Sequence, residues 1–158
     1  MTNTPAGSVL ADYVKPYSID TMQKKPKILP RGIRNNNPLN IRIGNVWLGE
    51  VSNPTDPDFE QFVTMAYGCR AAFVLLRRYI NHYKRTTIPQ VIAAWAPASE
   101  NNCVAYVGRV CQLSGISKDE ELNFFNKDQM THLLAAMAQV ECGQPIKEED
   151  INTGYDMA

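Results

Sequence analysis

An apolar helical stripe near the C-terminus ends in a carboxylate. In LLAAMAQVECG and the residues before it, Met130, Leu133, Leu134, Met137 and Glu141 stand 3, 1, 3 and 4 positions apart, so all five share one face of a helix. Apolar surroundings disfavour the charged form of a carboxyl group, and the C-terminal end of a helix carries partial negative charge that repels it. Both push the pKa of Glu141 upward. A carboxylic acid that keeps its proton near neutral pH is what a general acid for glycosidic cleavage requires. The same position also suits a Glu that turns its head to solvent or pairs with an arginine, and spacing alone does not choose between them.

Retaining and inverting glycosidases use a second carboxylate roughly 5–9 Å from the first. Glu100 in WAPASENN, Glu60 in FEQF and Asp56 are the candidates. Glu100 serves a cleft or orders backbone amides between two helices. Glu60 alternates with Phe59 and Phe62 and is expected to face solvent. Asn35, Asn36, Asn37 and Asn40 offer amides that both donate to and accept from sugar hydroxyls and N-acetyl groups, although Asn-rich turns also bond to their own backbone. Trp47, Trp95 and Tyr106 have rings that can stack on sugars or fill a core. His82 and His132 stand isolated on helical stretches and are expected at the surface.

The elements that must position these groups follow from periodicity. Residues 1–30 are polar, broken by Pro5, Pro16, Pro26 and Pro30, and basic at KKPK; they read as an extended arm, with the folded body from 31 to 158. Asn, Gly and Pro then dominate as far as Phe62, and short extended pieces at 40–43 and 59–62 suit a small hairpin or an irregular insertion. From Met65 the period becomes helical. AYGCRAAFVLLRRYINHY predicts one helix and TTIPQVIAAW a second, with a Thr as N-cap and Pro89 in its first turn. APASENN reads as a loop. A third helix, capped by Asn101 or Asn102, runs to Gly115; KDEELNFF reads as a short helical turn; Asn126 or Lys127 opens a last long helix that stops at Gly143. The fold class expected is mainly α (α+β), a helical domain with a small extended insertion.

Sixteen basic residues balance sixteen acidic ones, so no global field draws the chain to nucleic acid or an anionic membrane. The local cluster Arg77, Arg78, Lys84 and Arg85 reads as a solvated helix face. No run approaches the roughly 18 apolar residues of a membrane span. The first residues lack the basic and apolar regions of a signal peptide, which implies synthesis in the cytoplasm. Cys69, Cys103, Cys111 and Cys142 show no metal-ligand spacing and read as free, mostly buried thiols. No metal or cofactor is expected.

The segments RGIRNNNPLNIR, Trp47–Gly49, FEQF, YGCRAA, WAPASENN and AYVGRV, in this order between Arg31 and Gly154, resemble a family of phage and prophage virion structural proteins. That family's pattern runs R-G-I-R-N-N-N-P-G-N-I-R, F-x-x-F, G-x-R-A, W-A-P-x-x-E-N, Y-x-x-x-V and E-x-G. Leu39 replaces the usual Gly of N-P-G-N. The order of segments is also similar to that of lysozyme-like peptidoglycan hydrolases, above all lytic transglycosylases. In those, a helix ending in E-S-G precedes a polar loop, a long helix, A-Y-N-x-G and Y-V-x-x-V. Here NNNPLNIR takes the loop position, IAAW-AP the A-Y-N position and Tyr106–Val110 the last. No Glu precedes Glu50, and the segment AQVECG that matches the acid-bearing helix lies at the C-terminal end instead, as a circular permutation would leave it. Trp95 and Ala96 stand where the transglycosylases carry Tyr and Asn, and Cys142 follows the Glu in place of Ser or Asn.

The resemblance implies a lysozyme-like domain over 31–158. It implies Glu141 and Glu100 as catalytic residues, with Asn37, Asn40, Arg42, Trp95, Asn101 and Tyr106 binding substrate. The activity expected is cleavage of the MurNAc–GlcNAc backbone of peptidoglycan, by a lytic transglycosylase or muramidase, in a phage particle or as an exported antibacterial effector. The alternative is a virion structural or binding protein that keeps a lysozyme-like shape without catalysis. Expected partners are peptidoglycan glycan strands, virion or secretion-machine components, or an immunity protein. Nucleic acid binding and stable membrane insertion are not expected. The site of action would be the periplasm, the cell wall or a virion.

Overall fold

A computed structural model describes residues 28–95 and 100–158, the first three residues of the second stretch by their backbone only. The arm expected over 1–30 therefore lies outside the described residues up to position 27. The body contains α1 (Arg31–Arg34), α2 (Met65–Arg77), a π-helical turn (Arg78–His82), α3 (Ile88–Trp95), α4 (Glu100–Ser114), α5 (Lys127–Cys142) and α6 (Glu148–Met157). It is mainly helical, as its periodicity predicts. No described helix is long and apolar enough to cross a membrane.

The core forms where α2, α3, α5 and α6 meet. Phe73, Leu76, Ile88, Val91, Ile92, Val110, Met130, Leu133, Leu134 and Met137 are all fully buried, and the stripe read on α5 is the part of that helix turned into it. α2 packs most extensively on α6, and α4 on α5. Thr64 accepts a hydrogen bond from the Tyr67 amide to open α2. Asn126 does the same for Gln129 at the start of α5, which ends at Gly143 with φ 71°, both limits as expected.

Three elements differ from expectation. The segment KDEELNFF forms turns rather than helix, because its amides are engaged elsewhere: Leu122 N–H bonds to Thr86 O at 2.8 Å and Phe125 N–H to Asn123 Oδ1 at 3.1 Å. α6, EEDINTGYDM, carries Asn, Thr and Gly inside a helix, where each lowers propensity. Its Gly154 explains itself by packing, since a Cβ there would stand 2.4 Å from Cys69 Cβ. α4 begins at Glu100, slightly before the Asn cap that the sequence suggested.

The insertion between α1 and α2 contains two isolated antiparallel bridges, Arg42 with Phe59 and Glu50 with Phe62. Segment 59–63 thus runs between two neighbours, bonding to 41–43 on one side and 49–51 on the other (Glu60 N–H to Ile41 O 2.9 Å; Val63 N–H to Gly49 O 2.8 Å). Ile41, Phe62 and Ala71 form a second small core with Trp47, Tyr67, Leu75 and Trp95 around it, and this seats the insertion on α2.

Gly68 sets the closeness of that seat. A Cβ at Gly68 would fall 1.8 Å from the backbone oxygen of Asn36, a rigid neighbour that can retreat only by moving the whole Asn loop. Gly68→Ala should lower stability by on the order of 3 kcal/mol in chemical denaturation. Gly108→Ala is the control: nothing lies within 4 Å of that position, so the same substitution in α4 should be neutral or raise stability by about 0.5–1 kcal/mol.

Candidate functional site

Seven residues, Arg34 to Asn40, build one wall of the candidate site. Asn36 and Asn40 both adopt left-handed backbone with φ 52°, a conformation Asn tolerates better than other side-chain-bearing residues. Leu39 avoids positive φ and drops its side chain into the main core. Asn37 is completely buried. Its Nδ2 donates to Ile41 O (2.9 Å) and Glu60 O (3.0 Å), and its Oδ1 accepts from Ile41 N–H (2.9 Å). Every polar atom of that side chain is spent inside the protein. The expected sugar contact at Asn37 is therefore corrected to a fastening role, and Asn35 and Asn36 serve similarly through Asp56 and Phe62 O.

Asn40 does face the site. Its Nδ2 donates to Glu141 Oε1 at 3.3 Å, across 101 residues of sequence. The end of α5 is held there by a second link, Cys142 Sγ to Pro38 O at 3.5 Å, so this thiol has a structural use. Glu141 is half-buried, and burial raises its pKa above the ordinary 4.5; hydrogen bonding from Asn40, and then Tyr106, works in the opposite direction and is the weaker influence. Tyr106 has its hydroxyl buried without a well-formed hydrogen bond, close enough to the Glu141 carboxyl to feel its charge. Burial first, and that charge second, push the phenol far above its usual range. Asn40 Oδ1 is likewise buried and unpartnered.

Glu141 opens onto a groove of about 440 Å³ that Asn40, Arg42, Asn45, Phe59, Tyr79 and Trp95 also line. Trp95 meets Tyr79 edge-on, centroids 6.3 Å apart, so it closes the core with one part and the groove with another. Of the predicted residues, the fold brings together Glu141, Asn40, Arg42, Trp95 and, against the acid itself, Tyr106. Glu100 and Asn101 lie outside the described residues as far as their side chains are concerned. Among the described lining residues Glu141 is the one carboxylate. A hollow of similar size beside Arg77, Arg78 and His82 holds none of the candidate residues.

The remaining candidates have structural tasks. Asp56 receives Arg31 Nε at 2.7 Å and Nη2 at 2.6 Å, Asn35 Nδ2 at 2.8 Å, and the amides of Asp58 and Phe59. The Arg31 guanidinium in particular holds that carboxyl far below the usual range, which unfits it for proton transfer near neutral pH. Trp47 packs on the Ile41–Phe62 core. Glu60 was expected in solvent and is instead 8% exposed. It sits beside Glu50, with its Oε2 unpartnered. Sequence reasoning missed this pair because FEQF alternates as a solvent-facing strand would, and alternation does not report that segment 59–63 is flanked by chain on both edges. Both histidines are exposed, and no disulfide forms among the described residues.

No family model matches the chain. It is 37% identical over 131 residues to "Protein P5" of Pseudoalteromonas phage PM2, an alignment covering 80% of each chain. The phage relationship read from the Arg31–Gly154 segments accordingly holds at the level of a phage protein family.

Glu60 generates a pH test. Burial, followed by the charge of Glu50, raises its pKa above 4.5, so the folded chain holds this proton more tightly than the unfolded one does. The associated stability is complete below about pH 4.5 and is lost as pH rises through the raised value. Glu60→Gln should therefore raise the Tm at pH 7–8, change it little at pH 4, and flatten the curve of stability against pH. An unchanged slope in thermal melts across that range would remove Glu60 from the account.

Proposed function

The chain belongs to the family of the phage protein "Protein P5", and for this member we propose a peptidoglycan-cleaving glycosidase, a lytic transglycosylase or muramidase, in which Glu141 is the general acid. The observation that carries the reading is the state of that carboxyl group. It sits on the wall of an open groove, half-buried, with burial favouring its protonated form and Asn40 and Tyr106 beside it.

The reaction follows from these positions. Protonated Glu141 gives its proton to the glycosidic oxygen, and the bond to the sugar's anomeric carbon breaks as positive charge develops on the ring. The carboxylate left behind is stabilised by Asn40 Nδ2–H and the Tyr106 hydroxyl, whose bonds strengthen with negative charge. Glu141 then recovers a proton, from the sugar's own 6-hydroxyl as it closes an anhydro ring or from the water that attacks instead. Trp95 and Tyr79 offer aromatic surface along the groove for sugar faces.

The fold proposed with this activity is lysozyme-like and entered at a different point of the chain, so that the acid-bearing helix comes last and the Asn loop first. Phage or effector delivery would bring the protein to the wall. The rival reading, a virion structural protein without catalysis, shares the phage relationship and is separated by activity.

Zymography on purified cell walls tests the proposal. Wild type should clear the walls and Glu141→Gln should not, with at least about a hundredfold loss in turbidity assays. The Glu141→Gln chain should melt no lower than wild type, since it removes a buried carboxyl. Clearing should weaken as pH rises through the raised pKa of Glu141, because the working form is the protonated one. Anhydro-MurNAc ends in the released fragments mean a transglycosylase, reducing ends a muramidase. Walls left intact by the wild type, or cleared equally by the variant, refute the assignment.

A further inference from the structure

We propose that Arg42 is the anion subsite of the groove and that it selects glycans bearing a carboxylate near the scissile bond; the inference rests on the glycosidase reading above. Two arginines lie over Phe59, Arg31 with its guanidinium carbon 4.4 Å from the ring centre and Arg42 with its own at 4.9 Å. Their charges meet different fates. Arg31 is neutralised by Asp56 at 2.6 Å and Asp58 at 3.1 Å. Arg42 pairs with no carboxylate among the described residues.

Arg42 is also held in place. Its backbone pairs with Phe59, the next residue's amide bonds to Asp58 O at 3.0 Å, and Phe59 supports the guanidinium from below. Asn40, Ile41 and Arg42 all line the groove, and of the three Arg42 is exposed. The residue that touches Glu141 and the residue with the free positive charge are thus two apart in sequence on the same wall. Among the described lining residues Arg42 is the one cation, and Glu141 the one acid.

A fixed, planar guanidinium facing the path of a ligand is matched by a carboxylate, which accepts two parallel N–H bonds. Neutral sugar hydroxyls would leave its charge unanswered. Peptidoglycan supplies carboxylates from two sources: the peptide stems, and the lactyl group of MurNAc where a stem has been removed. A GlcNAc homopolymer supplies neither.

The experiment compares four substrates with wild type, R42Q, R42K and Glu141→Gln: intact peptidoglycan, the same polymer with its carboxylates amidated, glycan stripped of stems by an amidase, and a GlcNAc oligomer. Wild type should show kcat/KM about tenfold higher on intact than on amidated peptidoglycan, mostly through KM. R42Q should bring that ratio to about one, and R42K should restore part of it. Preference for the stripped glycan over the amidated polymer places the lactyl carboxylate at Arg42; preference for the intact wall alone places a stem carboxylate there. Arg42 is exposed, so R42Q should melt like wild type. If wild type cleaves and Glu141→Gln does not, yet R42Q keeps the wild-type ratio, the Arg42 assignment is wrong and the glycosidase stands. If wild type cleaves nothing, both fall.

Discussion

The buried side chain of Asn37 is the constraint on which the site depends. A single amide there ties Ile41 on its own loop to Glu60 on the opposing segment, with three hydrogen bonds of 2.9–3.0 Å. In an interior these bonds are costly to leave unmade, so the loop cannot drift without exposing three polar groups. Two left-handed residues, Asn36 and Asn40, persist because this network holds them. The outcome is that Asn40 has its amide aimed at the end of α5. The Gly68 contact presses the loop down on α2 from one side, and the Cys142–Pro38 link fixes α5 to it from the other.

Much of this was legible in the residues, and the reason is physical. The stripe from Met130 to Glu141 has a period, and a period reports which side of a helix turns inward; the Glu at its end was readable as a group caught between core and water. Asn126 and Gly143, which bound that helix, are local capping signals. Asn37 could not be told from Asn40 by type. Both are amides in one turn, and only the three-dimensional partners decide that one is used up internally and the other faces a groove.

Where reading failed, a long-range neighbour had overridden a local pattern. FEQF alternates, but Glu60 is buried, in a segment flanked on both edges by 41–43 and 49–51, neighbours that the alternation does not report. EEDINTGYDM has poor intrinsic preference for helix, yet it forms α6 because α2 offers it a buried surface at Ile151 and Tyr155, with Gly154 permitting contact at Cys69. KDEELNFF has good preference and stays in turns because Thr86 and Gln129 take its amides. Tertiary packing outweighs propensity in each case.

Two opposing demands meet at Glu141, and their balance is the last step of the argument. In the general-acid role proposed for it, this carboxyl must hold its proton at rest and yet release it without leaving an insupportable charge behind. Burial alone would meet the first demand and fail the second, since an isolated carboxylate in a dry place is costly. Strong donors alone would meet the second and fail the first, as at Asp56, where the Arg31 guanidinium and three further donors hold the carboxyl far below the usual range. Glu141 has one long bond from Asn40 and a weaker contact from the Tyr106 phenol, with burial the stronger influence. In the proposed reaction these donors would tighten as charge appears on the carboxyl group. That is the direction in which stabilisation must change for the departing proton to be easier to lose in the transition state than in the ground state.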